Sequence, residues 1–201
     1  MGTYLAGDKI VQALEDLPEG CLFILDEAYS EFAPASSLPK IEITDARVVR
    51  LRTFSKAYGM AGARVGYAMA EENLIKSFEK IRNHFGMNRS AQKSAFEALS
   101  DNQWLLEMVQ KVENGRQRIY KIAAENNLKS ITSATNFVAI DCGKDSNFAK
   151  KVLKELISLG IFVRMPFVSP QDRCVRVSVG KKRDLDRFEK ALPTALERAS
   201  K

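Results

Sequence analysis

Short apolar runs and amphipathic stretches alternate along the chain. Between Asp8 and Leu17, the apolar residues Ile10, Val11, Ala13, Leu14 and Leu17 recur at helical spacing, and Pro18-Glu19-Gly20 then stops the helix and turns the chain. Cys21 to Leu25 is a continuous apolar run that ends on charge at Asp26-Glu27, the pattern of a strand buried on both faces of a parallel sheet. Val48–Leu51 and Val65–Met69 predict two further strands. Leu74, Ile75, Phe78 and Ile81 then return Glu71–Ile81 to helical period. Strands and helices alternating in this way predict an α/β layer up to about residue 85.

Helical spacing dominates next, over Asn88–Leu99 and again from Asp101 to about Asn127, where Leu105, Val109, Val112, Ile119 and Ile122 keep one face apolar. The second of these helices is long enough to bridge two domains. Beyond Ser130 the predicted order is strand (Asn136–Asp141), helix (Phe148–Leu159), strand (Ile161–Met165), strand (Cys174–Val179) and helix (Arg183–Glu197). Asn147 is the expected cap of the first of these helices and Gly160 its stop, while Pro166 and Pro170 bound the loop between the last two strands. The division expected is therefore a large-domain portion over 1–87, bridging helices over 88–127 and a small α/β domain over 128–201. The sequence shows no internal repeat and no low-complexity segment.

Composition narrows the class without changing this picture. With 201 residues, 45% hydrophobic and 28% charged, the chain is a folded globular protein and not a disordered or collagenous one. The formal charge of +6 is spread over mixed faces, because Lys150-Lys151 and Lys181-Lys182-Arg183 lie beside Glu155, Asp184 and Asp186. That distribution argues against a nucleic-acid stripe. No run approaches the ~18 apolar residues of a membrane helix, and Asp8, Glu15 and Asp16 interrupt the region where a signal peptide would be apolar. Cys21, Cys142 and Cys174 form neither a disulfide framework nor a metal-binding pair, so no metal is expected and a reducing, cytoplasmic compartment fits.

Two segments carry candidate chemistry. Asp26 ends an apolar strand with Tyr29 three residues on, at the end of a parallel strand where α/β proteins bind ligands. A carboxylate there suits a heterocyclic N–H and a phenol suits a ring oxygen; equally, Asp26 caps the turn and Tyr29 is half buried. The stretch Leu51–Gly66 sets Thr53, Ser55, Lys56 and Arg64 in a glycine-punctuated segment after a strand. Hydroxyls with a guanidinium suit a phosphate, and a lysine in a dry pocket is a candidate amine nucleophile for an aldehyde. Gly59, Gly62 and Gly66 match neither the dinucleotide spacing nor a phosphate loop, which disfavours a nucleotide.

Taken together, Asp26-Glu-Ala-Tyr29, Thr53-Phe-Ser-Lys56-Ala-Tyr-Gly-Met-Ala-Gly-Ala-Arg64-Val-Gly and Val175-Arg176-Val-Ser-Val-Gly180 resemble the fold-type I aminotransferases that use pyridoxal phosphate, most of all the histidinol-phosphate branch. The resemblance covers essentially the whole chain. It implies an α/β fold in which the C-terminal part of a large, mostly parallel domain precedes a small α/β domain. It also implies that Lys56 bonds covalently to pyridoxal phosphate, that Asp26 pairs with the ring nitrogen and Tyr29 with the ring oxygen, and that Thr53, Ser55 and Arg64 hold the phosphate. Arg176, helped by Arg164, would bind the acidic group of a small amino-acid or amino-phosphate substrate, with Asn136 beside it. The alternative for both arginines is ordinary strand-end solvation. A glutamate/2-oxoglutarate exchanging pair and a homodimer follow from the same likeness, with no nucleic-acid or membrane partner.

Two departures qualify the likeness. Family members carry, ahead of this point, a glycine-containing phosphate loop, an aromatic residue on the cofactor ring and an N-P-x-N-P-T-G segment, whereas Met1-Gly2-Thr3 matches only the end of the last. A fragment is therefore expected, with an unpaired sheet edge and exposed apolar surface. In addition, Ile81-Arg-Asn-His-Phe-Gly-Met-Asn88 differs from the proline-rich, tyrosine-containing segment usual in histidinol-phosphate enzymes, and His84 within it reads as a packing or interface residue. The rival functions are a pyridoxal-phosphate decarboxylase of a phosphorylated amino acid and a catalytically silent fragment.

Overall fold

In the computed structural model, which describes all 201 residues, the first amphipathic stretch forms α1 (Gly7–Glu15) and the apolar run after it forms β1 (Phe23–Asp26). β2 (Val48–Thr53) pairs parallel to β1, and β3 (Gly66–Met69) pairs antiparallel to β2, giving the order β1-β2-β3. α2 (Glu72–Phe78), α3 (Arg89–Ser100) and the start of α4 (Asn102–Glu125) follow. The chain divides within α4: Tyr4–Val109 forms one compact unit, and Gln110–Lys201 with Met1–Thr3 forms the other.

The second unit holds an antiparallel sheet, β4 (Lys129–Ile131), β5 (Phe137–Asp141) and β6 (Cys174–Ser178), in the order β4-β5-β6, with α5 (Ser146–Ser158) and α6 (Lys182–Ala199). The registers Val138↔Val177 and Ile140↔Val175 put four buried branched side chains on one sheet face. They share a core with Ile119 and Ile122 of α4, Val152 and Leu156 of α5, and Phe188 and Leu192 of α6. All three cysteines are free thiols, and burial pushes the Cys142 thiol up to about 12. No helix is long and apolar enough to cross a membrane.

Several elements differ from the sequence reading, each for an identifiable reason. β1 is not buried on both faces: Ile24 is 62% exposed, and β1 is an edge that pairs only with β2. Ile161–Met165 is not a strand. Arg164 and Arg176 exchange both backbone hydrogen bonds, but Pro166 has no N–H with which to extend the ladder. β4 went unread because Lys-Ser-Ile is too short and polar to alternate visibly. Asp145, not Asn147, caps α5, its carboxylate accepting from the Phe148 N–H at 2.9 Å, while Gly160 ends that helix as read, with φ +76° and the Ile161 N–H returning to the Leu156 carbonyl. α2 stops at Phe78, and Ile81 and His84 are exposed beyond it.

Successive strand residues face opposite sides, so only one of Asp26 and Glu27 can point to either face. Asp26, Leu51 and Ala68 share one side by register, and Glu27 faces the other, where it is 7% exposed. A buried carboxylate requires partners. Arg50 donates to it in two-point fashion at 2.6 and 3.1 Å, and Arg52 adds a third bond at 3.0 Å. This clamp ties the end of β1 to β2. Nearby, burial raises the Glu31 carboxyl above its ordinary value of 4.5, with Arg52 opposing the shift only in part.

Removing one side of the clamp leaves two arginine charges without their counter-ion. Glu27→Ala is expected to lose about 3 kcal/mol or more of unfolding free energy, read by urea denaturation. Glu31 titrates with the opposite sense: its folded-state pKa is raised, so its contribution is most favourable when protonated and is lost as pH rises from 4.5 through the folded value. Glu31→Gln is therefore expected to raise Tm at pH 7.5 and to give no gain near pH 4.

Candidate active site

The segment after β2 is built around one buried ring. Phe54, 2% exposed, packs with Val65, Ala91 and Ala95 and tilts against Tyr58 and Tyr67 with centroids 4.9 and 5.6 Å away. Its N–H bonds the Val65 carbonyl and its carbonyl accepts from the Met60 N–H, so the loop closes on itself around the anchor. Either side of Phe54 stand the polar groups. The Thr53 Oγ1 accepts from the Ser55 N–H at 3.1 Å, and Arg64 Nη1 donates to the Ala61 carbonyl at 2.8 Å and to the Ser55 Oγ at 3.4 Å. Arg64 adopts a left-handed backbone, φ 54° and ψ 48°, a conformation that costs a side-chain-bearing residue energy and here turns its guanidinium back to Ser55.

Lys56 Nζ lies 5.0 Å from the centroid of the Tyr29 ring, in cation–π contact, and has no carboxylate partner. Asp26 shares its sheet face with Thr53, because Asp26 pairs with Leu51 and strand positions two apart point the same way. One Asp26 oxygen accepts from the Ala28 N–H at 3.0 Å, so the turn-capping reading is right; the carboxylate is nonetheless exposed, with its other oxygen open. The first unit thus brings Lys56 to Tyr29 and Thr53, Ser55 and Arg64 to one another, with Asp26 on the Thr53 face.

Asn136, Arg164 and Arg176 belong to the second unit. Arg164 and Arg176 are cross-strand neighbours, so two like charges lie on one face. Neither has a carboxylate within ion-pair distance. Arg176 stacks on Phe137 with its guanidinium carbon 3.9 Å from the ring centroid, and its buried Nε has no hydrogen-bond partner. Adjacent unpaired cations with an orphaned donor are suited to an anion. The Asn136 backbone carbonyl accepts from the Val179 N–H at 2.9 Å, and its side-chain amide makes no hydrogen bond within the protein.

Sequence reading passed over Glu27 and its two arginines. The signal was there: two adjacent acidic residues at a strand end cannot share a face, and Arg50 and Arg52 alternate in an otherwise apolar strand. Arg116, buried on α4, was also missed, since one arginine in an amphipathic helix gives no sign of burial.

This arrangement belongs with known proteins. A family model described as aminotransferase class I and II matches residues 1–192. Histidinol-phosphate aminotransferases from Geobacillus sp. (strain WCH70) and Bacillus licheniformis are 37% identical over 200 residues and 38% identical over 194. Those alignments cover 98% and 95% of this chain but 54% and 53% of the relatives, so the chain spans about half the length of the curated relatives it matches. Among solved structures, that of histidinol-phosphate aminotransferase from Sinorhizobium meliloti in complex with pyridoxal-5'-phosphate superposes with a TM-score of 0.95 at 46% identity, covering 98% of this chain and 54% of that one. With the family match running almost from end to end, the chain belongs to the class I and II aminotransferases.

Proposed function

We propose that this chain carries the lysine-bearing part of a pyridoxal-phosphate-dependent aminotransferase acting on an amino phosphate of the histidinol-phosphate type or on a related amino acid. The observation that carries the reading is Lys56, an amine without an ion-pair partner, held over Tyr29 beside the Thr53, Ser55 and Arg64 donors. These residues fit the cofactor by their chemistry: an amine for its aldehyde, a carboxylate for its ring nitrogen, a phenol for its ring oxygen, and hydroxyls with a guanidinium for its phosphate. When bound, pyridoxal phosphate supplies the electron sink that makes the substrate's Cα–H acidic.

The chain's own groups do the rest. Asp26 places negative charge at the ring nitrogen and so favours its protonated form. Tyr29 orients the ring through its phenol, and Thr53, Ser55 and Arg64 anchor the phosphate so that the reacting carbon stays within reach of Lys56. Lys56 would also serve as the general base, its Nζ being the group that would take the proton from the substrate Cα and give it back. Arg176 and Arg164 bind the substrate's acidic group, and Asn136 offers its amide beside them. The orphaned Arg176 Nε supports that assignment.

The proposal extends to glutamate and 2-oxoglutarate as the exchanging pair, a cytoplasmic setting and a homodimer. Phe85 and Phe96, 96% and 71% exposed in the first unit, support association. The test begins with the chain mixed with pyridoxal phosphate, reduced with borohydride and mapped by peptide mass. Label on Lys56, absent in Lys56→Ala, is expected; label scattered over surface lysines would overturn the reading. Arg176→Lys keeps the charge but loses the two-point fork, and is expected to raise KM for the acidic substrate roughly ten- to hundredfold while labelling at Lys56 is unchanged. Comparing an amino phosphate with a plain amino acid as donor decides the substrate class.

A further inference from the structure

We propose that Arg116 is a positioning residue for substrate binding, holding the turn that presents Asn136 and seats Phe137 under Arg176; this rests on the reading of Asn136 and Arg176 as substrate-binding. Arg116 is 6% exposed, and its Nη1 donates to the Ser133 carbonyl at 2.8 Å and the Thr135 carbonyl at 3.2 Å. These carbonyls belong to the turn leading directly into Asn136. Glu113, one helical turn earlier, pairs with the other end of the guanidinium, which fixes its orientation. Tyr120, one turn later on the same helix face, accepts from the Ser133 N–H through its hydroxyl at 2.8 Å. Two side chains of α4 therefore grip the turn by three backbone groups.

The turn has little freedom left. The Ser133 Oγ donates to the Phe137 carbonyl at 2.5 Å, and Thr135 Oγ1 reaches the same carbonyl at 3.2 Å. The Ala134 N–H is tied to the Gly2 carbonyl at 2.8 Å. Next to Arg116, Gly115 allows α4 to approach Val179, whose side chain a Cβ at position 115 would strike and whose N–H holds the Asn136 carbonyl. Asn136 is thus fixed by its carbonyl and by both carbonyls around the preceding turn, while its amide stays unengaged. Phe137, next in sequence, is the ring on which Arg176 stacks. Nη1 serves both carbonyls while Nη2 pairs with Glu113, so one planar guanidinium spans acceptors on two sides, whereas an ammonium is a point charge. The arrangement makes the Arg116 fork, and not merely its charge, the feature that sets the substrate-side geometry.

The test compares wild type, Arg116→Lys, Arg116→Met and Tyr120→Phe, each as the full chain loaded with pyridoxal phosphate. Calorimetry measures binding of succinate and of inorganic phosphate, which are anions with no amine to react; cofactor affinity and Tm are measured alongside. Arg116→Met is expected to weaken binding of the anion that wild type takes by about tenfold or more and to raise KM for the amino donor correspondingly, with kcat and cofactor affinity within about twofold. Arg116→Lys is expected to fall between, and Tyr120→Phe to shift anion binding in the same direction by less. Anion affinity unchanged in folded variants would overturn the positioning role, as would cofactor affinity falling in parallel. Wild type that takes cofactor at Lys56 but binds neither anion would overturn it together with the substrate-side assignment. Wild type that takes no cofactor at Lys56 would instead count against the proposed function.

Discussion

The candidate cofactor side depends on one carboxylate being buried. Glu27 follows Asp26 at the end of a strand, and the two-residue period of that strand sends them to opposite faces. Glu27 goes inward, where only charged partners make burial tolerable, and Arg50 and Arg52 supply them from the neighbouring strand. Once those bonds form, β1 and β2 cannot slip by one residue without exposing the clamp and burying Asp26. The same register sets Asp26 beside Leu51 and on the face that carries Thr53. Phe54 then turns inward and is buried, which holds Ser55 and Lys56 at the start of the loop. A structural ion pair on one face thereby aligns chemistry on the other.

Arginines divide into two kinds by their partners. Arg50, Arg52, Arg118 and Arg173 each meet a carboxylate and serve the fold; Arg118 is shared between Asp186 and Glu189 of α6. Arg64, Arg164 and Arg176 meet none, although Arg176 is half buried and one of its donors is sealed from solvent. A cation that is desolvated without a counter-charge costs stability, so positions where this persists are candidates for binding anions. Arg116 stands between the two kinds. Glu113 neutralises it, yet its Nη1 goes to two backbone carbonyls around a turn, which makes it a device for shape and not only for charge.

Much of this was legible along the chain. Apolar runs and helical spacing placed α1, β2, α3, α4, β5, β6 and α6 to within a few residues, because each buries a continuous stripe or run whose period survives in one dimension. The motif residues Asp26, Tyr29, Thr53, Ser55, Lys56 and Arg64 could be picked out because hydroxyl, amine and guanidinium groups crowd a short glycine-punctuated segment. What failed was short or dependent on a distant neighbour. β4 has three residues, two of them polar, and becomes a strand only because β5 offers it a ladder. Ile161–Met165 has a strand's composition but meets β6 at a single bridge before Pro166 ends the pairing.

Sequence by itself determined the α/β class, the order of the elements and the kinds of side chain available for chemistry, since these follow from local period and residue type. Tertiary structure alone decided which charges are spent and which are left over. No spacing rule says that Glu27 would take both Arg50 and Arg52, that Lys56 would lie over Tyr29, or that Arg176 would stack on Phe137 with a donor unpaired. Nor does the sequence say that Arg116, within α4 and ahead of β4, would reach the carbonyls of Ser133 and Thr135 beyond that strand. The physical reason is that electrostatic and hydrogen-bond satisfaction is settled between residues far apart in the chain, after burial has removed water as the alternative partner.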